Sequence, residues 1–304
     1  MNDLHHITES SQKKLVLAIL LTSIIFLAEL FGGLWTRSLA LLSDAGHVFM
    51  DMFALGLSYF AFRAAKRPAD DRHTYGFHRF QVLAALINGT SLLLIAIEIL
   101  REAIQRLREP EPILAGPMLI VAVIGLIVNL IVAKILHNHD HKDINTRSAF
   151  LHVVGDALAS IGVIVAGIII AFTGLTWVDA MISILISILL LFSAGRLLLA
   201  TFHILVEGMP DDMTASQIAA TMQKVSGVVE VHDLHVWTLS PSFLALSAHV
   251  LIEDQALSQS SRIMEELKAV LAKNFGIHHT TIQFECLNCG QGADFDCDCA
   301  ASTH

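Results

Sequence analysis

Charge is scarce in this chain: only 15% of its 304 residues are Asp, Glu, Lys or Arg, while 54% are hydrophobic and the mean hydropathy is +0.64. Soluble globular domains carry about 25% charged residues, so the deficit excludes an ordinary soluble domain and points to a membrane protein. Tryptophan and tyrosine are also few, at 3 and 2, and aromatic belts cannot mark the span ends. Cysteine is confined to Cys286, Cys289, Cys297 and Cys299, within the last nineteen residues. That clustering excludes a disulfide framework spread through a core. No G-x-x-x-x-G-K-[ST] phosphate loop is present, which argues against an ATP-driven pump. No H-E-x-x-H pair is present either, which argues against an intramembrane zinc protease. The polar, His-bearing start "MNDLHHITESSQKKLVLAIL" leads into a long apolar segment and does not read as a cleavable signal, so the first span is expected to be retained.

What the chain does contain is six apolar runs, each near the roughly 20 residues a crossing needs. They cover about 15–35, 39–63, 80–105, 113–137, 146–173 and 177–204. After Met209-Pro210 the texture is that of a soluble domain. There "MTASQIAATMQKVSG" reads as a helix ended by Gly227 and "VVEVHDLHVWTL" as a strand. "FLALSAHVLIED" is a second strand, joined to the first through Ser240-Pro241-Ser242. "SQSSRIMEELKAVLAKNFG" reads as an amphipathic helix stopped by Gly276, and "HHTTIQFEC" as a last strand. The expected fold is therefore an all-α six-helix transmembrane bundle followed by a cytoplasmic α+β domain of order αββαβ, with its helices on one face of a three-stranded sheet. The expected divisions are an N-terminal segment 1–14, a membrane domain 15–205, a soluble domain 206–288 and an acidic Cys-containing tail 289–304.

Basic residues near span ends set the orientation. With the N-terminus inside, the cytoplasmic side receives Lys13, Lys14, Arg63, Lys66, Arg67, Arg72, Arg79, Lys134, Lys142, Arg147 and Arg196, against Arg37, Arg101, Arg106 and Arg108 outside. Six spans then return the C-terminus to the cytoplasm. Residues 206–304 hold four basic and thirteen acidic side chains, the whole of the net charge of −9. So acidic a domain suits cations and excludes nucleic acid and anionic lipid as partners.

Two spans carry polar residues that hydrocarbon should reject. Span two, "SDAGHVFMDMFALGLSYFAF", holds His47 and Asp51; span five, "SAFLHVVGDALASIGVIVAGIIIAF", holds His152 and Asp156 at the same spacing. A gap of four puts each pair on one helix face, a turn apart. A single such pair is as well explained by a helix–helix hydrogen bond. Two copies in non-adjacent spans point to a site in which two imidazoles and two carboxylates meet, the tetrahedral N/O set that zinc prefers. A divalent ion there also compensates the roughly 2.5–3.5 kcal/mol that each intramembrane charge costs on insertion scales.

The six-span plan, "SDAGHVFMD", "HVVGDALAS", and the tail with "HDLHVWTL" and "TTIQFE" resemble the cation diffusion facilitator family, in its zinc-transporting branch, over about residues 12–289. The resemblance implies a homodimer that moves Zn2+ out of the cytosol in exchange for protons, with His47, Asp51, His152 and Asp156 as the transport site and cadmium or cobalt as secondary substrates. Histidine, with an ordinary pKa of about 6.5, and clustered carboxylates hold protons that a metal must displace, so binding is expected to weaken below about pH 6.5.

Further metal-capable groups follow. Asp70, Asp71, His73 and His78 lie in the loop "KRPADDRHTYGFHRF", where the family carries a second cation site. The agreement there is imperfect, since the expected histidine position is Phe77 and solvated loop residues are the simpler reading. "HNHDHKD" supplies His137, His139, Asp140 and His141 as a collecting loop without defined geometry. In the soluble domain His232, His249, His278 and Glu285 are expected to converge at one edge of the sheet, at positions where relatives bind zinc. His235, three residues on from His232, is expected on the opposite face. "CLNCG" gives Cys286 and Cys289 at half-site spacing. The resemblance also implies a charge interlock between Arg79 and Glu207. Asn129, Glu98 and Ser160 line the pathway or bridge helices, Asp44 lies near the site without matching its spacing, and Asp179 is expected at the outer mouth. The alternative to transport is a membrane-anchored zinc sensor working from its tail, which would not need the intramembrane quartet. Compact loops and the lack of a targeting segment suggest a bacterial inner membrane.

Overall fold

In the computed structural model of the chain, residues 20–137, 144–241 and 243–286 are described, apart from the side chains at 133, 135–137, 144–154 and 257. Helices α1 (Leu20–Thr36), α2 (Leu39–Ala65), α3 (Phe80–Arg108), α4 (Ala115–His137), α5 (Ile144–Thr173) and α6 (Trp177–Leu205) follow one another. α2 to α6 each contain a stretch long and apolar enough to cross a membrane, and the described part of α1 is a shorter apolar helix. The bounds of α2 to α6 agree with the apolar runs to within a turn. Helices are what such runs must form, because hydrocarbon offers no partner to an unpaired backbone group.

The chain divides into two compact units, Met1–Leu57 with Ile87–Leu197 and Ser58–Leu86 with Leu198–His304. In the first, many alanines lie inside and many large aromatics outside. Ala40, Ala122, Ala166 and Ala194 are buried, while Phe31, Trp35, Phe172 and Phe192 are exposed, with Phe172 at 88%. Lipid removes the hydrophobic drive to bury large side chains, so close backbone approach decides the packing. Gly32 faces Val121 and Gly167 faces Leu119 so tightly that a Cβ at either glycine would sit 2.8 Å from the neighbour.

The second unit holds α7 (Ala215–Met222), β1 (Val228–Ser240), β2 (Phe243–Ile252), α8 (Leu257–Phe275) and β3 (His279–Cys286), the expected αββαβ order. The Thr214 hydroxyl caps α7 by accepting the Gln217 amide, and Gly276, at φ 65°, ends α8 in the left-handed conformation glycine allows. β1 pairs antiparallel with β2, and β2 pairs parallel with β3, α8 supplying the crossover. One face of the sheet is covered: Leu246, Val250, Leu267, Leu271, Met222 and Ile218 form the core, with Val231, Leu234 and Val236 packed against it. Each large side chain fully buried there contributes about 1.5–3 kcal/mol. The other face carries Ser247, His249, Gln283 and Glu285, and it is there that the histidines gather.

Candidate metal centres

α2 presents His47 and Asp51 one turn apart, and α5 brings Asp156 to the same point. The His47 Nε2 is 3.6 Å from Asp51 Oδ2 and 3.6 Å from Asp156 Oδ1, and one ligand atom from each residue lies within 4.8 Å of the others. A tetrahedral ion with ~2.0 Å bonds holds its ligands about 3.3 Å apart, and the two His47–carboxylate distances are within a few tenths of an ångström of that spacing. His152 stands one turn before Asp156 on α5, its side chain outside the described residues.

The start of α2 is tied down with unusual completeness. The Ser38 hydroxyl accepts the Leu41 amide at 3.2 Å. Asp179 of α6, fully buried, accepts the Leu39 amide at 2.7 Å, the Ala40 amide at 3.3 Å and the Ser38 hydroxyl at 2.6 Å. The first three amides of α2, groups a helix cannot satisfy internally, are thus all paired. The expected mouth residue is therefore a cap that sets the height and rotation of the helix bearing His47 and Asp51. Asp44, also on α2, accepts from the Ser160 hydroxyl at 3.5 Å, and Ser160 accepts from the Asn129 amide at 3.4 Å, so Asn129 and Ser160 bridge α4, α5 and α2.

On the open face of the sheet, His232 Nε2 is 3.1 Å from Glu285 Oε2 and His249 Nδ1 is 3.0 Å from Glu285 Oε1. His232 and His249 are Cα partners across β1 and β2, and Glu285 stands opposite Leu251 on β3. The cluster therefore spans all three strands on one face and does not sit at an edge. His278 is not part of it: it precedes β3, at the end of that strand away from Glu285. Nor does His235 point the other way. The register shifts between His232 and His235, which pair with His249 and Ser247, so both face the same side. The extra residue of this bulge lies at Asp233, whose φ is 48°. Asp233 Oδ1 is 3.0 Å from His235 Nε2, and its Oδ2 is 3.7 Å from His249 Nε2. Asp233 is a residue that counting along an ideal strand could not find.

Cys286 ends β3 with its sulfur in a disulfide, a form that offers no thiolate to a metal; Cys289, like Cys297 and Cys299, lies outside the described residues. In the α2–α3 loop, Asp70 accepts the amides of Arg72 at 2.9 Å and His73 at 2.7 Å and pairs with the His73 ring at 2.9 Å. These bonds, the Arg72 amide foremost, hold the Asp70 carboxyl below its ordinary value. His78 does not join them. Its ring stacks on Phe243 at 4.6 Å, and Phe243 in turn meets His279 at 5.6 Å. Of the collecting loop, His139 and His141 are outside the described residues, as is the side chain of His137. Arg79 Nη2 lies 3.5 Å from Glu207 Oε1, both side chains being exposed.

A helical membrane domain with a polar intramembrane cluster, joined to a soluble domain with a second histidine–carboxylate cluster, defines a cation transporter and not an enzyme. The chain belongs to the cation efflux family: residues 15–206 match its transmembrane domain and residues 210–286 its cytoplasmic domain. It is similar to the metal cation efflux system protein CzcD of Cupriavidus metallidurans, 41% identical over 92% of this chain and 89% of that one. It is 39% identical to the cadmium, cobalt and zinc/H(+)-K(+) antiporter of Bacillus subtilis, over 92% of this chain and 91% of that one. The zinc transporter ZitB of Pectobacterium atrosepticum is also 39% identical, over 94% and 89%. Among solved structures, the metal-bound C-terminal domain of CzcD is 36% identical and covers 24% of this chain and 99% of that one, with a TM-score of 0.22.

Proposed function

We propose that the protein exports Zn2+ from the cytosol in exchange for protons, by alternating access of a homodimer in a bacterial inner membrane with both termini cytoplasmic. The observation that carries the reading is the meeting of His47, Asp51 and Asp156 between two apolar helices. His152, a turn before Asp156, completes the tetrahedral set. The relatives named as zinc or cadmium, cobalt and zinc transporters support zinc as cargo, with cadmium and cobalt as secondary substrates. Two imidazoles and two carboxylates give a neutral site once a divalent ion is seated, and in its absence the same atoms take up protons. Competition for those atoms couples the two flows, and metal affinity falls as the pH drops.

The His232, His249 and Glu285 cluster, with Asp233 beside it, is a second zinc position with a regulatory or structural role, and the family's cytoplasmic dimerisation domain supports the homodimer. Asp70 and His73 form at most a weak loop site. The Arg79–Glu207 pair is the charge interlock; as an exposed pair it contributes about 0.2–1 kcal/mol, so its use is alignment more than stability.

The test is zinc and proton flux in proteoliposomes for the wild type and Asp51→Ala. Loss of both fluxes with the fold intact is expected. Unchanged zinc uptake in Asp51→Ala would remove that carboxylate from the pathway, and the quartet with it.

A further inference from the structure

Glu29 sits in the middle of α1, an apolar helix, and is 1% exposed. Its Oε1 occupies the space over Gly125 of α4: a Cβ at that glycine would lie 2.8 Å from it. Its Oε2 is buried with no hydrogen-bond partner among the described residues, and so is Oδ1 of Asp44, itself 2% exposed. Gly125 lies one turn before Asn129 on α4, and Asn129 is joined through Ser160 to Asp44, so Glu29 and Asp44 approach the same stretch of α4. Among the described residues no lysine or arginine pairs with Glu29 or Asp44.

Charge bookkeeping makes this arrangement informative. A divalent ion in the quartet is already balanced by Asp51 and Asp156. Two further buried carboxylates are then surplus, and buried surplus charge persists only where a cation shares it. The donors around that cation are all oxygen: Glu29, the free Asp44 oxygen and the Ser160 hydroxyl, with the Asn129 amide behind it. Without imidazole or thiolate, such a set suits a hard cation better than zinc.

We propose that Glu29 and Asp44 form a second cation station, separate from the metal's own ligands, which carries one counter-cation in addition to the protons that the metal displaces from those ligands. Its ligand class is a hard monovalent cation, a proton or K+. The glycine at 125 is part of the station, because any side chain there would displace the Glu29 carboxylate. The inference rests on the export reading above but concerns different atoms.

Full-length protein in proteoliposomes, loaded with reporters for Zn2+, pH and K+, tests it as wild type, Glu29→Gln and Gly125→Ala. Gly125→Ala keeps the carboxyl and only crowds it, so it carries the test should Glu29→Gln fail to fold as a monodisperse species. Equilibrium zinc affinity of both variants should stay within about threefold of wild type. Counter-cations moved per zinc should fall, by one in Glu29→Gln, and whichever count falls, H+ or K+, names the occupant. Unchanged coupling in Glu29→Gln beside a coupled wild type overturns the station alone. Zinc affinity lost as deeply as in Asp51→Ala overturns it too, making Glu29 a ligand of the metal site. A wild type with no zinc flux at all overturns the export reading and this one together.

Discussion

Replacing Asp179 with alanine should loosen the helix that carries His47 and Asp51 of the proposed transport site. The carboxylate receives three hydrogen bonds, at 2.6, 2.7 and 3.3 Å, all buried. Bonds to a charged group are worth about 1.5–3 kcal/mol each, but three that share one acceptor do not add fully. An unsatisfied buried amide costs about 1–3 kcal/mol, and loss of a helix cap alone about 1 kcal/mol. Ser38 still serves Leu41, so the amides left bare are those of Leu39 and Ala40. Together these give a loss of about 3–5 kcal/mol for Asp179→Ala. Asp179→Asn, which keeps one acceptor oxygen, should lose about half of that. Denaturant titration in mixed micelles, followed by far-ultraviolet circular dichroism, measures the loss, and calorimetric zinc titration of the still-folded protein measures the consequence. His47 and Asp51 lie two and three turns along α2, so zinc affinity should fall in Asp179→Ala although Asp179 touches none of the proposed ligands. A stability loss under about 1 kcal/mol would refute the capping argument. Normal zinc affinity alongside a full stability loss would refute the claim that the cap positions the site.

Two further outcomes are expected. Gly167→Ala places a methyl 2.8 Å from Leu119 at the α4–α5 contact, and overpacking of this kind should cost about 1–3 kcal/mol, read as a lowered melting temperature in detergent; an unchanged value would mean the helices part freely. The Asp70 carboxyl is held below its free value of 3.8, so the bonds it makes to Arg72 and His73 are complete above that pH and fade as the pH falls through the lower folded value. Amide chemical shifts of Arg72 and His73 should therefore titrate with a midpoint below 3.8, and a midpoint at or above it would show that the loop bonds do not form.

The features readable from sequence were those with a period or a run behind them. Apolar run length placed α2 to α6, and the glycine stops and alternating strands placed the αββαβ domain, because both depend on local chemistry alone. The repeated spacing of four brought His47, Asp51 and Asp156 forward for the same reason. The bulge at Asp233 broke the alternation that sent His235 to the wrong face; a single left-handed residue within "HDLH" leaves almost no trace beyond the tolerance of aspartate for that conformation. His278 joins His232 and His249 in the sequence reading through the positions where relatives bind zinc, whereas the parallel register of β2 and β3 puts it just before its strand, at the end away from Glu285. His78 fits a solvated loop better than a metal site on sequence alone, and its stacking on Phe243 is invisible there because an imidazole stacks on an aromatic ring as readily as it binds a metal. Glu29 left a visible signal, an acidic residue inside the first apolar run, that went unused because it has no histidine beside it.

The open-face cluster has a mechanical side. β1 and β3 are not neighbours; β2 lies between them. An ion gripped by His232 on the first and Glu285 on the third would act as a cross-brace, lashing the two outer strands over the middle one. Peeling β3 away would then require stripping the ion first, and at a hundred times its dissociation constant that brace adds about 2.7 kcal/mol to the folded state. The rigidity of the cytoplasmic sheet would rise and fall with the free metal around it, so the domain would stiffen when there is most to remove.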